Sequence, residues 1–381
     1  NPPKKKVVFH HQMGIKEHLV FDGKVCYILM MEIVVPTPDE ERLRAHLASR
    51  TDAEARRIER FVAMPDLSRL QNHPLEEMVK KVLSARSLAN FDIIKIPEMV
   101  PVSVTFDLFN MPPGHPARSK SDTYYVDDGN ILRTHDTVMW YYYLNLPEIK
   151  AKMARRESFG VVCYGKVYRK DEIDRKHMNV FHQFGGLYLT PNEKKTITLE
   201  DLKSALTDIA QSIFGKEVKN RFNPDTFPYT DPSMEMEIEK EGQWIEMLGC
   251  GLPRQSVLGN FGVAGYNGWA FGFGLERLAI VSMKLPDIRL LWSVDERVKR
   301  QLTLGETYRE VSKYPPITRD ISFVVSDTFV PNNYFDLIRD IGGDVVEEVT
   351  LLDTYKNEEK FGVGKVSYTY RVVYRSPDRT L

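Results

Sequence analysis

The chain has 381 residues, of which 42% are hydrophobic and 28% charged, and its formal net charge is −1. This balance is ordinary for a globular protein, and the length predicts two or three domains with a substantial core. The near-zero charge is mild evidence against nucleic-acid binding, although a local basic face can coexist with a neutral total.

Neither a membrane span nor a disulfide framework fits the sequence. The longest apolar stretch, Val25–Val35, contains Glu32 and is too short to cross a bilayer. Cys26, Cys163 and Cys250 are far apart, odd in number and without a zinc-binding spacing, which favours a reducing compartment. No Arg- and Ser-rich leader or secretory apolar region is visible, so we expect any targeting peptide to be already absent.

Residues 1–65 are predicted to form an N-terminal extension of unassigned role. A strand pair is expected between residues 10 and 35, with Asp22-Gly23 as its turn. The Glu-, Arg- and Ala-rich stretch 40–61 favours helix. We expect this extension to cap the sheet that follows, with docking of a nucleic acid through its basic side chains as the alternative.

Helices and an antiparallel hairpin are predicted in the middle of the chain. Apolar residues recur with helical spacing after Pro74 and again over 202–214, where Gly215 is expected to end the helix in a left-handed conformation. Alternation over Met234–Ile238 predicts a half-exposed strand, paired with Trp244–Leu248. No regular βαβ alternation is present, so the fold class is α+β rather than a doubly wound parallel sheet.

The last seventy or so residues are predicted to form a β-α-β-β module. We expect strands at 321–325, 345–355 and 365–374 and a helix at 332–341. These are the first four elements of a split-βαβ, ferredoxin-like fold, and we expect the sequence to lack the last helix and strand of that fold.

The first candidate site lies in Gly165–Asp171, where an Arg precedes a carboxylate by two residues. On a strand, Arg169 and Asp171 would share one face; the Arg can neutralise a phosphate and the carboxylate can hold an amine or a ribose hydroxyl. A hairpin would bring Phe181 and Gln183 back beside Arg169. An exposed salt-bridged strand with a core Phe is the alternative.

The second candidate site is Gly268–Leu278, in which small residues let a ligand approach the backbone. A helix is predicted to open there with Arg277 in its first turns, which suits the outer phosphates of a nucleotide. The segment is not a Walker loop, because no Gly-Lys-Ser/Thr follows, and it is not a dinucleotide fingerprint, because Arg277 stands at the third glycine position.

The order of these segments resembles the second and third signature motifs of class II aminoacyl-tRNA synthetases. Further segments resemble the catalytic subunit of phenylalanyl-tRNA synthetases, in the order known for that family. The tail from Lys313 to Ser322 resembles the ferredoxin-fold anticodon-binding domain, and its fusion to the catalytic module is typical of the single-chain mitochondrial type. The catalytic segments are Phe109–Arg118, Asp122–Tyr125, Leu132–His135, Phe181–Gln183, Phe227–Ser233 and Trp244–Gly251.

The resemblance implies a class II catalytic domain, an antiparallel sheet with helices, over residues 66–308, and an anticodon-binding domain over 309–381. It implies a ligase that uses ATP and Mg²⁺ to activate phenylalanine and load it onto tRNA(Phe). We expect a monomer in the mitochondrial matrix or another organelle, with the cytoplasm as the alternative, and no membrane partner.

The resemblance also assigns roles toward ATP. Arg169 would grip the α-phosphate, Phe181 would stack on adenine and Arg277 would hold the γ-phosphate. Asp171 would belong to the same site, and His177 would contact the phosphates. Catalysis would then rest on positioning and electrostatics, without a covalent enzyme intermediate.

Polar and aromatic residues are implied to bind phenylalanine. The polar contacts are His135, Thr137 and Gln183; the aromatic walls are Phe227 and Tyr229; Ala270 is the small residue at the far end of the ring. Asp231 and Glu246 are implied magnesium ligands. Arg319 is implied to contact the anticodon loop, where unstacked bases can be read by aromatic and Arg side chains.

Several positions depart from the family pattern. Gly185 stands where a Glu usually follows Gln183 by two residues and helps to orient the substrate ammonium. Asp136-Thr137 replaces Thr-Ser after His135, Tyr229 replaces a usual Phe, and the motif-two carboxylate is an Asp. The missing Glu leaves two alternatives open: an inactive synthetase-like RNA-binding protein, and a class II ligase for another amino acid.

Overall fold

The computed structural model describes residues 11–12, 19–21, 24–26, 32–311, 314–376 and 378–381. The chain divides into two compact units. Unit 1 takes its residues from 1–113, 125–167 and 182–275. Unit 2 takes its residues from 114–124, 168–181 and 276–381.

The N-terminal extension adds strands to the edge of the main sheet. Its strands are β1 (His11–Gln12), β2 (Leu19–Phe21), β3 (Lys24–Cys26) and β4 (Glu32–Val34). β2 and β3 pair antiparallel, which confirms the predicted strand pair, while its turn Asp22-Gly23 lies outside the described residues. β1 pairs with β4, which runs parallel to the next strand of the sheet. This placement agrees with a cap on the sheet.

Nine of the described strands form one mixed sheet, in the order β1-β4-β5-β8-β9-β13-β12-β11-β10. Its pairs β4–β5 and β5–β8 are parallel, whereas the pairs β1–β4, β9–β13, β13–β12, β12–β11 and β11–β10 are antiparallel. A separate pair joins β6 and β7. The strands after β4 are β5 (Asp92–Lys95), β6 (Met99–Pro101), β7 (Asn130–Leu132), β8 (Phe159–Tyr168), β9 (Val180–Pro191), β10 (Asn220–Asp225), β11 (Thr230–Lys240), β12 (Gln243–Pro253) and β13 (Tyr266–Gly274).

The helices bury the apolar stripes that the sequence shows. In α3, Leu75, Met78, Val79 and Val82 are buried. Gly215 follows α7 with a φ of 92° and a ψ of 163°. Its φ is positive as predicted, but its ψ is extended instead of left-handed helical. The helices up to the end of the sheet are α1 (Pro38–Ala48), α2 (Ala53–Ala63), α3 (Pro74–Leu83), α4 (Val102–Thr105), α5 (Met139–Leu144), α6 (Pro147–Ala154), α7 (Leu199–Phe214), α8 (Gln255–Asn260) and α9 (Leu275–Met283).

The hairpin of β11 and β12 confirms the prediction from alternation. Lys240 pairs with Gln243, and the turn residues Glu241 and Gly242 have φ of 54° and 79°. Positive φ at both central residues matches the twist of a two-residue hairpin.

One face of the sheet in unit 1 is aromatic and closely packed. The Phe184 ring stacks on Phe273 at 5.5 Å and on Phe271 at 6.2 Å between centroids. A Cβ at Gly186 would lie 2.4 Å from the Phe271 ring, so this strand position needs glycine. The opposite face of the same strands is therefore left for other contacts.

Unit 2 contains the β-α-β-β module in the predicted order. Its strands β14 (Ile317–Ser326), β15 (Val346–Tyr355) and β16 (Lys365–Tyr374) pair antiparallel in the order β14-β16-β15. The helices that follow α9 are α10 (Glu296–Lys299), α11 (Pro331–Gly342) and α12 (Glu358–Phe361), of which α11 and α12 belong to the module. Tyr334 and Phe335 of α11 pack with the buried Tyr370 and Val372 of β16, which makes the core of the module.

Two further findings concern the whole described part of the chain. None of its helices combines the length and apolar character that crossing a membrane requires. Cys163 and Cys250 are buried free thiols, and burial raises the pKa of each to about 12. Both thiols are therefore protonated and unreactive near neutral pH.

Candidate functional site

A transverse row of glycines crosses the sheet in unit 1. Gly185 of β9 pairs with Gly272 of β13, which pairs with Gly249 of β12. We call these three residues the glycine row. Because they carry no side chains, other groups lie directly on the backbone of the sheet at this point.

Asp136 and Phe227 lie on the glycine row. A Cβ at Gly185 would be 1.9 Å from Asp136 Oδ2, and a Cβ at Gly272 would be 3.3 Å from both carboxylate oxygens. A Cβ at Gly249 would be 2.8 Å from the Phe227 ring. The row therefore carries a carboxylate at one end and an aromatic ring at the other.

The predicted polar contacts for an amino acid come together beside Asp136. The backbone N–H of Asp136 donates to Gln183 Oε1 at 3.0 Å, and the Thr137 hydroxyl is hydrogen-bonded to His135 Nδ1. Asp136 and Thr137 are buried. Gln183 precedes Gly185 by two residues on β9, so its side chain leaves the same face of the sheet.

The predicted aromatic walls belong to a larger cluster. Phe227 and Tyr229 stack with centroids 5.9 Å apart and an interplanar angle of 11°. Phe109 meets Tyr229 edge-on at 5.8 Å, and also meets His135 edge-on at 5.8 Å. Phe109 thus joins the aromatic walls to the polar contacts.

Two members of this cluster were missed from the sequence. Trp140 lies 6.4 Å from Tyr229 and Phe261 lies 5.2 Å from Phe109, both between ring centroids. Their sequence positions on α5 and just after α8 gave no signal, because aromatic residues on helices usually belong to the core. Only the folded chain brings Trp140 to the Tyr229 ring and Phe261 to the Phe109 ring.

Ala270 lies on the same face as the glycine row. It precedes Gly272 by two residues on β13, pairs with Leu187 and Gly251, and is 3% exposed. All six residues predicted to bind phenylalanine therefore lie in unit 1, on or beside the glycine row.

The second group of predicted residues belongs to unit 2. Arg169 and Asp171 do not share a strand face as expected, because β8 ends at Tyr168. The backbone N–H of Lys170 donates to Asp122 O at 2.9 Å, which draws the chain away from the hairpin. Arg169 and Asp171 therefore stand on a loop, with Arg169 exposed.

The predicted approach of Phe181 to Arg169 is confirmed. The Arg169 N–H donates to Asn179 O at 3.0 Å, which closes the loop at its base. The Arg169 guanidinium carbon then lies 5.2 Å from the centroid of the Phe181 ring. This is a cation–π distance, so the loop holds a cation and an aromatic face together.

His177 stands on the same loop, beside an acidic residue. Its Nδ1 lies 2.8 Å from Asp174 Oδ2, and its backbone N–H donates to Asp174 Oδ1 at 2.8 Å. The hydrogen bond to Asp174 raises the pKa of His177, and the negative charge of Asp171 raises it further. Partial burial and the positive charge of Arg277 act in the opposite direction. The charges of Asp171 and Arg277 are therefore both felt at the imidazole.

Arg277 is exposed in the first turn of α9, which begins at Leu275 immediately after β13. This confirms the predicted order of strand, small residues and helix. All five residues predicted to bind ATP lie in unit 2: Arg169, Asp171, His177, Phe181 and Arg277.

Helix α11 fixes the backbone of the loop that carries Arg169. Arg339 donates to Asp171 O at 2.9 Å and to Glu172 O at 2.6 Å. Asn332 donates to Lys170 O at 3.2 Å. The C-terminal module thus contacts the loop within unit 2.

The predicted magnesium ligands are not brought together. Asp231 is exposed and lies 3.2 Å from Arg254, at a cleft of about 410 Å³. Glu246 pairs opposite Glu237 in the β11–β12 register, whereas Ser233, two residues after Asp231, pairs with Gly251. Those positions differ by five residues along β12, or roughly 16 Å.

Arg319, the residue predicted to bind tRNA, is exposed on β14. One guanidinium N–H donates to Thr318 O at 2.8 Å. The neighbouring Asp320 pairs instead with Arg371 of β16, at 2.8 Å. Successive residues of a strand face opposite sides, so Arg319 and the Asp320–Arg371 pair lie on different faces.

Fold, motifs and family matches together define a class II aminoacyl-tRNA synthetase. Residues 58–302 match the model of the tRNA synthetases class II core domain (F), and residues 312–381 match the ferredoxin-fold anticodon binding domain. The first match alone covers more than half of the chain.

Curated relatives narrow the assignment. The phenylalanine–tRNA ligase of Arabidopsis thaliana, chloroplastic/mitochondrial, is 40% identical over an alignment of 301 residues that covers 75% of this chain and 67% of that protein. The mitochondrial enzyme of Mus musculus is 36% identical, covering 75% and 69%, and that of Saccharomyces cerevisiae is 31% identical, covering 82% and 83%. The chain belongs to the phenylalanine–tRNA ligase family.

Proposed function

We propose that this chain activates phenylalanine with ATP and transfers it to the 3′-terminal ribose of tRNA(Phe) in an organelle. The single observation that carries the amino-acid specificity is the glycine row. It places a polar group of residues and an aromatic group on one face of the sheet, at a spacing that suits an aromatic amino acid.

In this proposal, unit 1 binds phenylalanine. His135, Thr137 and Gln183 supply polar contacts to the main-chain groups of the substrate. Phe227 and Tyr229 form the walls around its ring, because aromatic pairs favour stacked and edge-to-face contacts. Ala270 lies at the far end of the ring, where a larger side chain would shorten the pocket.

Unit 2 supplies the groups that bind ATP. Arg169 grips the α-phosphate and Arg277 the γ-phosphate, because guanidinium groups match phosphate oxygens in charge and geometry. Phe181 stacks on adenine, and His177 contacts the phosphates. Asp171 completes this set on the loop.

The chemistry then needs only positioning and charge stabilisation. A carboxylate oxygen of phenylalanine attacks the α-phosphorus, the bond from that phosphorus to the bridging oxygen breaks, and pyrophosphate leaves. A ribose hydroxyl of the tRNA next attacks the carbonyl carbon of Phe-AMP, and AMP leaves. Arg169 and Arg277 stabilise the negative charge that develops on the phosphate oxygens in the first step.

Class II synthetases in general use a divalent metal with ATP. Asp231 and Glu246 do not fit a shared magnesium site, because the register of β11 and β12 separates them. Within the described ranges, no three His, Cys, Asp or Glu side chains are grouped so that they could hold a metal ion. We propose magnesium as the metal, without a site shared by these two carboxylates.

The organellar names of the relatives support an organelle as the compartment, and we propose the mitochondrial matrix. We also propose a monomer, because the chain matches both the catalytic core and the anticodon-binding domain. Sedimentation of the purified chain tests this, and a dimer at micromolar concentration would contradict it.

The test of the proposed activity is phenylalanine-dependent ATP–pyrophosphate exchange, with tyrosine and no amino acid as controls. Exchange with phenylalanine is expected. Absence of exchange with every amino acid, from protein that melts cooperatively and binds ATP, would favour the inactive RNA-binding alternative.

The proposed contact of Arg319 with the anticodon loop needs a separate test. We expect Arg319→Ala to weaken tRNA charging about 10-fold and to leave exchange unchanged. Arg371→Ala is the matched control, because this Arg lies on the other face of the same small sheet. Equal losses in the two variants would mean that Arg319 contributes only to the general positive potential. Deletion of residues 310–381 is less suitable, because it removes Arg339 from the ATP loop.

A further inference from the structure

Two departures from the family pattern meet at one point of unit 1. Gly185 lacks the carboxylate expected on β9, and Asp136 brings a carboxylate to the same place from the turn before α5. Its Oδ2 lies 1.9 Å, and its Cγ 2.6 Å, from the position of a Cβ on Gly185. A side chain at residue 185 would therefore displace the carboxylate of Asp136 from this position.

The backbone of Asp136 is anchored to β9, and its carboxylate lies close to Gly272 of β13. The backbone N–H of Asp136 donates to Gln183 Oε1 at 3.0 Å. A Cβ on Gly272 would lie 3.3 Å from each carboxylate oxygen of Asp136. The residue is 6% exposed. A carboxylate at this depth is stabilised by cationic and hydrogen-bonding groups, so it favours a ligand that carries positive charge over a neutral one.

The distance along the glycine row fits an aromatic amino acid. Gly185 and Gly249 are separated by two strand spacings, or roughly 10 Å. Asp136 covers one end and the Phe227 ring covers the other. The ammonium and the ring of phenylalanine are on the order of 5 Å apart by covalent geometry. The substrate can thus reach the carboxylate with its ammonium while its ring contacts Phe227.

We propose that the Asp136 carboxylate binds the α-ammonium of phenylalanine and so determines that the pocket takes an amino acid. The inference rests on the proposed function and deepens it. In this chain the carboxylate that binds the ammonium comes from the turn before α5 instead of from β9. The absence of a side chain at Gly185 leaves room for it.

The first experiment is Asp136→Asn, which removes the charge and keeps the size and the backbone bond to Gln183. Hydrogen bonds to charged groups imply a rise of about 10- to 100-fold in KM for phenylalanine during ATP–pyrophosphate exchange. KM for ATP is expected to stay within about twofold of wild type. An unchanged KM for phenylalanine, in protein whose wild type is active, would overturn the inference and leave the proposed function intact. A wild type that shows no exchange would instead contradict the proposed function.

Two substrate fragments separate charge recognition from general damage to the pocket. Phenylalaninol keeps the ammonium and lacks the carboxylate; 3-phenylpropionate keeps the carboxylate and lacks the ammonium. By titration calorimetry, Asp136→Asn is expected to weaken phenylalaninol about 10- to 100-fold and to leave 3-phenylpropionate unchanged or tighter. Equal weakening of both compounds would overturn the proposal, because it would show a structural role for Asp136.

A double variant returns the carboxylate to the strand. Gly185→Glu alone is expected to lose phenylalanine activation because its Cβ displaces Asp136, and Asp136→Thr alone because the charge is gone. The double variant Asp136→Thr/Gly185→Glu is expected to recover at least 10-fold in kcat/KM for phenylalanine over either single variant. Additive losses in a folded double variant would contradict the exchange.

Discussion

The proposed amino-acid site of unit 1 and the proposed nucleotide site of unit 2 are built in different ways. The first lies on paired strands whose register places three glycines in a row, under buried side chains. The second stands on a loop and the first turn of a helix, with Arg169, His177 and Arg277 exposed. Strands fix positions closely, which suits recognition by shape, whereas exposed charges on loops suit phosphates that arrive and leave.

The loop of unit 2 is nevertheless not free to move independently. Arg339 binds two successive carbonyl groups, and Asn332 binds a third. Arg175 on the loop also pairs with the buried Glu347, which pairs with Arg375 at 2.7 Å. The proposed nucleotide site is thus ordered by hydrogen bonds to backbone carbonyl groups. The proposed amino-acid site is ordered by the pairing of strands in the sheet.

The largest effect is expected from removal of a charge in unit 2. Arg169→Ala should lower kcat for exchange about 100- to 1,000-fold, the range seen when one donor to a developing charge is lost. Its melting temperature should stay close to wild type, because the exposed side chain contributes little to the core. Arg169→Lys is the matched control: it keeps the charge and loses the planar fork, so an intermediate rate is expected.

A backbone contact in unit 1 should show the opposite behaviour, a loss of stability. A Cβ at Gly268 would lie 1.8 Å from Tyr188 O, which belongs to the neighbouring strand and cannot rotate away. Gly268→Ala is therefore expected to cost about 1–3 kcal/mol of unfolding free energy. Gly259→Ala, on α8 with nothing within 4 Å of its Cβ, is the control and should be neutral or slightly stabilising. Similar urea midpoints for the two variants would show that the sheet relaxes around Gly268.

The difference between the two sites also explains what the sequence could predict. The β11–β12 hairpin followed from alternation and a two-residue turn, and the β-α-β-β module followed from strand and helix periodicity, because both are local patterns. The resemblance picked out six residues for phenylalanine that the structure places in one unit. Their role stays a prediction, and their contacts depend on strand register. The domain limits 1–65, 66–308 and 309–381 remain predictions.

Long-range placement could not be predicted from local patterns. Arg169 and Asp171 were expected on a strand, yet the backbone bond of Lys170 to Asp122 ends the strand first. Asp136 and Gly185 are 49 positions apart, and each looked like a separate departure until the fold put one over the other. Such an exchange requires coordinates, because no spacing in the sequence links a loop carboxylate to a strand glycine.

A moderate effect is expected at the end of the phenylalanine pocket. Ala270→Gly should widen the pocket and admit para-substituted phenylalanines, with a gain of about 10-fold in relative kcat/KM, since one methyl-sized change in an apolar pocket is worth about 1–3 kcal/mol. The measurement is exchange with 4-chlorophenylalanine against phenylalanine. Unchanged selectivity would show that Ala270 does not bound the pocket.

Tyrosine tests the same pocket without a substitution. An apolar pocket rejects one added hydroxyl only by about a hundredfold. We therefore expect Tyr-tRNA(Phe) to form detectably at high tyrosine concentration. The measurement is attachment of labelled tyrosine to tRNA(Phe). Its complete absence would mean that a polar group opposes the added hydroxyl.

The smallest effect is expected from pH, and it concerns unit 2 alone. The hydrogen bond to Asp174 raises the pKa of His177 above its ordinary value of about 6.5. The imidazolium, and the stability that its bond to Asp174 contributes, are therefore fully present below pH 6.5 and are lost as the pH rises through the raised pKa. KM for ATP should rise a few-fold over that interval while KM for phenylalanine stays flat. Asp174→Asn should move the rise toward the ordinary pKa, and His177→Gln should abolish it; a pH profile that all three proteins share would place the titrating group outside the His177–Asp174 pair.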